Sequence, residues 1–294
     1  MTHFRSAGSA WHGLAIVAGA SASFSVAVLA VPPIYDGGGN PFGLLVLRNL
    51  VLAGLIAAVL AGAGRPVLLA SAERRGSFLI GLVFAAQSAC FYSALTLIPV
   101  GFATLVVFLY PLIVALWMRR ASGEVLGWTK LAGLLAALCG LALALDARAG
   151  RLDPLGIALA ALAALGSAAM AVIGNRILRS ADSWRMTAHM SAATGLALAA
   201  AALVSGEGLR FPSTPDGQVG YTVAMVFYMA GIAGYFRGLQ MIGATPTAMT
   251  SNVEPVVTLM LGWLIWGDTL GPWQIAGALL VVGAVFHSQW RERR

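Results

Sequence analysis

The feature that leaves this chain the fewest options is the length of its apolar runs. From Phe78 to Trp117, "FLIGLVFAAQSACFYSALTLIPVGFATLVVFLYPLIVALW" holds no acidic or basic side chain. About 20 apolar residues match the hydrocarbon thickness of a bilayer, so this stretch alone accommodates two crossings and a turn. Backbone in lipid finds no water to bond, which restricts it to helices or a closed barrel. Barrel strands alternate polar and apolar residues over roughly ten-residue segments. Here the runs are continuous and rich in Leu, Ala and Gly, the composition of close-packed helices. Charged residues make up 10% of the 294-residue chain, against about 25% in soluble proteins. The reading is an all-α polytopic membrane protein.

Apolar runs between charge and turn clusters predict ten transmembrane helices, near 12–32, 41–62, 77–98, 101–118, 127–145, 154–177, 185–205, 218–241, 245–266 and 272–290. The first run exceeds the 7–15 residues usual for a signal-peptide core and is read as a mature helix. "PPIYDGGGN" (32–40) and "FPSTPDG" (211–217) read as loops, with tight turns at Gly101 and at Thr245-Pro246. With the N-terminus in the cytoplasm, the inner side collects Arg5, Arg65, Arg74, Arg75, Arg119, Arg120, Lys130, Arg176, Arg179, Arg185, Arg237, Arg291, Arg293 and Arg294. The outer side keeps Arg148, Arg151 and Arg210. Such a bias predicts two cytoplasmic termini, and it accounts for the +7 charge without any nucleic-acid partner. Cys90 and Cys139 fall inside spans as packing residues with no metal-ligand spacing.

Sliding the chain by 144 residues lays "LTLIPVGFATLVVFLYPL" (95–112) over "LQMIGATPTAMTSNVEPV" (239–256), with Pro111 on Pro255. The register continues as "GEVLGWTKLAGLL" (123–135) over "GDTLGPWQIAGAL" (267–279). An odd number of spans per half gives the halves opposite orientation. Inverted repeats mark secondary transporters, with the substrate site near the midplane between them.

Those same residues carry a family resemblance. "GATPTAMTSNVEPVVTLMLGWLIWGDTL" resembles the C-terminal signature of the drug/metabolite transporter superfamily, in its ten-helix EamA-type branch, and "GFATLVVFLYPLIVALW…GEVLG" resembles its first-repeat version. The resemblance implies two inverted five-helix repeats, 1–150 and 151–294, around a central cavity. The fifth and tenth helices would be peripheral. It further implies a bacterial inner-membrane exporter of small metabolites, similar to exporters of aromatic and neutral amino acids. The family often has Glu in both Gly-Glu exits, whereas the second here is Asp268.

Polar groups inside the spans are the site candidates. Glu254 is expensive in a membrane and is by default a functional hypothesis. It is expected to contact a substrate ammonium, to titrate, to pair with Arg48, or to satisfy backbone freed around Pro255, with a structural or gating role favoured. Arg48 suits a substrate carboxylate through its planar fork, or an interhelical pair, or snorkels to the interface, with the structural readings favoured. Pro111 and Pro255 are expected to kink two matched helices. Gln87, Ser88 and Tyr92 share a helical face, and Tyr110 and Asn252 complete the set. Tyr228 and Tyr235 read as interhelical glue.

No nucleophile-base pair, zinc motif or phosphate loop is present, so neither an enzyme nor a cofactor or metal is expected. The expectation is a secondary-type exporter working by alternating access, taking amino acids. A zwitterion would suit a cavity with one cation, one carboxylate and aromatic walls. A carrier of drugs or other metabolites, a membrane-embedded enzyme and a channel are the alternatives. Protons are candidate coupling ions, and the sequence is compatible with a monomer or a homodimer.

Overall fold

The computed structural model describes residues 7–123, 125–145 and 153–291. Arg5, Glu124, Arg148, Arg151, Arg293 and Arg294, which entered the charge count and the repeat alignment, lie outside them. The described residues are helical, without strands: α1 (Ala7–Leu29), α2 (Pro32–Asp36), α3 (Pro41–Gly62), α4 (Ser71–Leu95), α5 (Val100–Val107), α6 (Tyr110–Ser122), α7 (Trp128–Ala144), α8 (Pro154–Ile177), α9 (Ser183–Ser205), α10 (Pro215–Ile242), α11 (Ala244–Ser251), α12 (Val253–Trp266) and α13 (Pro272–Arg291). Eight spans are long and apolar enough to cross a membrane, counting α1 with α2, α5 with α6 and α11 with α12 as one each. The shorter apolar α7 and the 20-residue α13 complete the ten expected helices.

Local chemistry sets the ends. Asn40, Asp153, Asp182 and Thr214 each accept from a backbone N–H of the first turn of the helix that follows, supplying partners for donors that a helix start leaves free. Gly123, Gly206 and Gly267 close α6, α9 and α12 at positive φ, where a side chain would be strained. Three sequence expectations shift. The third span starts at Ser71, because Glu73, Arg74 and Arg75 stay helical beyond the apolar run. The stretch read as a loop from residue 32 begins with the short helix α2. The two tight turns also move. Gly101 lies inside α5, its missing Cβ leaving room for the Leu145 carbonyl, and the turn before it spans 96–99. Gly243, at φ +88, makes the other turn in place of Thr245-Pro246.

The predicted kinks are breaks of one or two residues within otherwise continuous spans. Proline lacks an N–H, and its ring collides with the carbonyl four residues earlier. Four residues before Pro33, Pro111 and Pro255 stand Leu29, Val107 and Ser251, the last residues of α1, α5 and α11. All three helices therefore stop at the carbonyl that proline cannot tolerate, and restart within a few residues.

Packing is antiparallel and glycine-mediated. On α10, Gly238, Gly231 and Gly220 face Val17, Phe24 and the end of the first span, while α8 meets α4 where Gly166 faces Gln87 and Gly76 faces Ile177. Between α7 and α13 the same approach occurs twice in reverse: Gly133 faces Ala284 and Ser288, and Gly277 faces Gly140 and Ala144. Trp11 and Trp290 meet with ring centroids 6.4 Å apart, so the start of α1 and the end of α13 lie on one side of the bundle.

The two sides of the bundle differ. Towards the termini the largest core joins both halves of the chain through Ile56, Ile80, Val114, Met118, Met186, Met190, Phe236 and Leu239, with a small group around Ala115, Leu134 and Met249 beside it. Towards α2 the buried apolar residues divide into separate groups, one around Ile34, Leu44 and Ala224 and another around Ala94, Ile98 and Ala160. The α4–α9 seam is closed at backbone distance: Gly81 faces the Met190 carbonyl and Ala193, and Thr194 Oγ1 donates to the Gly81 carbonyl at 3.0 Å. The α3–α10 seam is bridged by long side chains instead.

Candidate functional site

Those bridging side chains are the polar centre of the molecule. Arg48 lies two turns into α3, half-buried, with Cζ 3.6 Å from the centroid of the Tyr228 ring on α10. The arrangement is a cation–π stack, which gains strength away from water. Two neighbours hold the ring. Tyr228 donates its hydroxyl to Asn49 Oδ1 at 3.3 Å, and Phe24 of α1 packs against it at 5.9 Å between centroids. Asn49 is fully buried and is itself fixed by donating to the Leu45 carbonyl at 2.8 Å. Tyr35 and Tyr221 also lie within electrostatic reach of Arg48, and Tyr92 reaches Tyr35 and Tyr228. Tyr221 ties α10 to α3 further along by donating to the Gly43 carbonyl at 2.9 Å.

A second polar group surrounds the break between α11 and α12. Glu254 is half-buried and lies within electrostatic reach of Tyr110 on α6 and Tyr235 on α10, and Tyr110 also reaches Ser251. The Tyr235 hydroxyl is buried without a hydrogen-bond partner, as are Asn252 Oδ1 and Thr247 Oγ1. What binds around Glu254 is its backbone: its carbonyl accepts from Ser25 at 2.9 Å and from Thr258 at 3.0 Å. Its carboxylate makes no hydrogen bond or ion pair with any described residue.

The sequence candidates therefore separate into groups. Arg48 and Tyr92 belong to the first, while Tyr110, Pro111, Asn252, Glu254 and Pro255 gather at the matched breaks of the fourth and ninth spans. Two expectations for Glu254 are overturned. It forms no ion pair with Arg48, because the two lie against different tyrosines of α10, and its carboxyl group bonds no backbone group around Pro255. Gln87 and Ser88 join neither group as contacts. Gln87 lies against Gly166 of α8 with Oε1 buried and unpartnered, and Ser88 is buried in the helix bundle. Tyr228 and Tyr235 do more than fill space, and Tyr35 and Tyr221 were not singled out. Their signal was available: Tyr221, Tyr228 and Tyr235 recur every seven residues, which puts all three on one face of a helix.

A membrane bundle of antiparallel, proline-interrupted helices with polar side chains at the breaks is the architecture of secondary transporters. The comparisons with known proteins point to a transporter. Residues 154–288, a little under half of the chain, match the EamA-like transporter family, so that segment is similar to EamA-like transporters. It is similar to the uncharacterized transporter YyaM of Bacillus subtilis (strain 168), at 25% identity over 114 residues, which are 38% of this chain and 37% of that protein. The match thus spans little more than a third of the relative's length. A crystal structure covers 96% of this chain and 98% of its own with a TM-score of 0.80 and 23% identity, which establishes the shared fold across nearly the whole chain.

Proposed function

We propose that this multi-pass membrane protein is a secondary transporter that exports small metabolites, amino acids foremost, by alternating access between repeats formed by residues 1–150 and 151–294. The observation that carries the reading is Arg48. A guanidinium cannot be neutralised by losing its proton, and a charge in mid-membrane costs several kcal/mol unless it serves a pathway or a partner. Arg48 has a stacking aromatic but no carboxylate partner among the described residues. A transported anion would supply the missing charge. The difference between the two sides of the bundle supports the cycle: one side is closed by the largest core and the α4–α9 seam, and the other is divided into smaller groups and bridged by side chains.

The decisive assay is counterflow in proteoliposomes. Vesicles preloaded with unlabelled aromatic or neutral amino acids are expected to accumulate the labelled form transiently. The absence of counterflow across an amino-acid panel rejects the substrate class, and flux far above transporter turnover without counterflow makes the protein a channel.

In this reading the host membrane is the bacterial inner membrane and both termini face the cytoplasm. An impermeant thiol reagent added outside whole cells, in a background lacking the native cysteines, is expected to spare Arg74→Cys and Arg179→Cys and to label Arg210→Cys. The reverse pattern inverts the orientation.

A further inference from the structure

Arg48 presents its two kinds of surface to different things. Tyr228 covers one face of the guanidinium at 3.6 Å, with its hydroxyl also in reach of Arg48, and a stacked arginine still has N–H groups for a planar, two-oxygen partner. Among them Nε is buried and has no acceptor. A buried donor without an acceptor is unfavourable by itself, and here it belongs to a cation, so the missing component is an anion. Its neighbourhood is aromatic: Tyr35 and Tyr221 join Tyr228 within reach of the head group, and Phe24 packs behind the Tyr228 ring.

What the neighbourhood lacks is equally informative. The acidic side chain in the polar interior, Glu254, faces Tyr235 while Arg48 faces Tyr228. Those tyrosines are seven positions apart on α10, about 10 Å along a helix axis. An α-amino acid joins its carboxylate and ammonium through a single carbon, so one molecule cannot place its two charges on both poles at once.

The geometry points to the Arg48–Tyr228 pair as a subsite for the carboxylate of a flat, apolar monocarboxylic acid, in which an amino group is tolerated but not read. This deepens the transport reading above and rests on it for the route by which the acid reaches the site. The substrate class becomes aromatic carboxylates, of which aromatic amino acids are one subset.

Purified full-length protein in nanodiscs tests the subsite with three probes, using calorimetric titration: phenylpropionate, its uncharged amide phenylpropanamide, and L-phenylalanine. Wild-type protein is expected to bind phenylpropionate, and phenylalanine within about threefold of it. The amide should bind about tenfold more weakly or worse, since it forfeits charge-assisted bonds to the fork. Equal binding of acid and amide, or no binding of phenylpropionate, overturns the subsite without any mutant. Arg48→Gln is expected to abolish phenylpropionate binding, and unchanged affinity in that folded variant overturns the assignment. Should Arg48→Gln not fold, Arg48→Lys keeps the charge but loses the stacked fork and is expected to bind about tenfold more weakly; wild-type affinity there counts against the subsite. The two readings fail separately. Phenylpropionate bound through Arg48 with phenylalanine neither bound nor exchanged sinks the amino-acid reading and leaves the subsite standing. Phenylalanine exchanged by wild type and by Arg48→Gln alike does the opposite.

Discussion

The two broken spans, α5–α6 and α11–α12, are the same backbone device carrying different chemistry. In each, the first helix ends four residues before a proline and the second starts one or two residues before it. The residue ahead of the proline is Tyr110 in one and Glu254 in the other. Because the tyrosine version breaks just as the carboxylate version does, the break does not need the carboxylate. The carboxylate is an addition to an already broken helix, and it stands beside Tyr110 of the matched break rather than bonded to its own backbone. A carboxyl group inside a membrane span without a described partner, next to the buried and unsatisfied Tyr235 hydroxyl, fits a group that meets something transported or a proton.

The largest effect that would sharpen this contrast is chemical. Glu254→Gln preserves shape and one acceptor but removes the charge, and it is expected to lower counterflow by about tenfold or more, the scale of losing a charged hydrogen-bonding group. Tyr110→Phe, at the matched position, is expected to stay within about twofold of wild type. Any proton-gradient dependence of wild-type flux should vanish in Glu254→Gln. Equal effects of the two substitutions would break the comparison and reduce Glu254 to a packing residue.

Next in size is the backbone itself. Pro111→Ala and Pro255→Ala each restore an N–H that can reach the carbonyl four residues back. A proline inside a helix costs about 3 kcal/mol relative to alanine, so each variant is expected to hold or raise its melting temperature in detergent. Transport is expected to fall several-fold in both, because interrupted helices let one end of a span move while the other stays packed. Full transport by both variants would show that the breaks serve no step of the cycle.

How much of this was legible beforehand divides along the same line. Ten helices could be read because lipid removes every other option for long apolar runs, and the breaks were foreshadowed by Pro111 and Pro255, whose effect is steric and local. The N-terminal limit of α4 was misplaced because charged residues look like a loop when hydropathy is the guide, although Glu73, Arg74 and Arg75 simply extend the helix. The site was legible residue by residue but not in its grouping. Arg48 and Glu254 looked like partners since both are costly in a bilayer, and only packing could assign them to Tyr228 and Tyr235. Gln87 is the converse case: its spacing with Tyr92 suggested one lining face, yet Gly166 leaves a hollow on α8 that Gln87 fills.

The smallest expected effect concerns how the second break is anchored. The Ser25 hydroxyl lies 2.9 Å from the Glu254 carbonyl of α12 and 3.0 Å from the Ser21 carbonyl of its own helix, and its one proton can serve only one of these fully. Ser25→Ala removes that tie between α1 and α12 but does not strand the acceptor, because Thr258 Oγ1 also donates to the Glu254 carbonyl at 3.0 Å. A removed hydrogen bond whose acceptor keeps another partner contributes at the low end of the usual range, about 0.5 kcal/mol. The variant is therefore expected to melt within about 2 °C of wild type and to transport at nearly the wild-type rate. The double variant Ser25→Ala/Thr258→Val takes away both hydroxyls, and its loss of stability should exceed the sum of the single losses, since only then does the Glu254 carbonyl lose both side-chain donors. Strict additivity would mean that the two hydroxyls act independently, and that the anchor of the second break resides in apolar packing around Val256 instead.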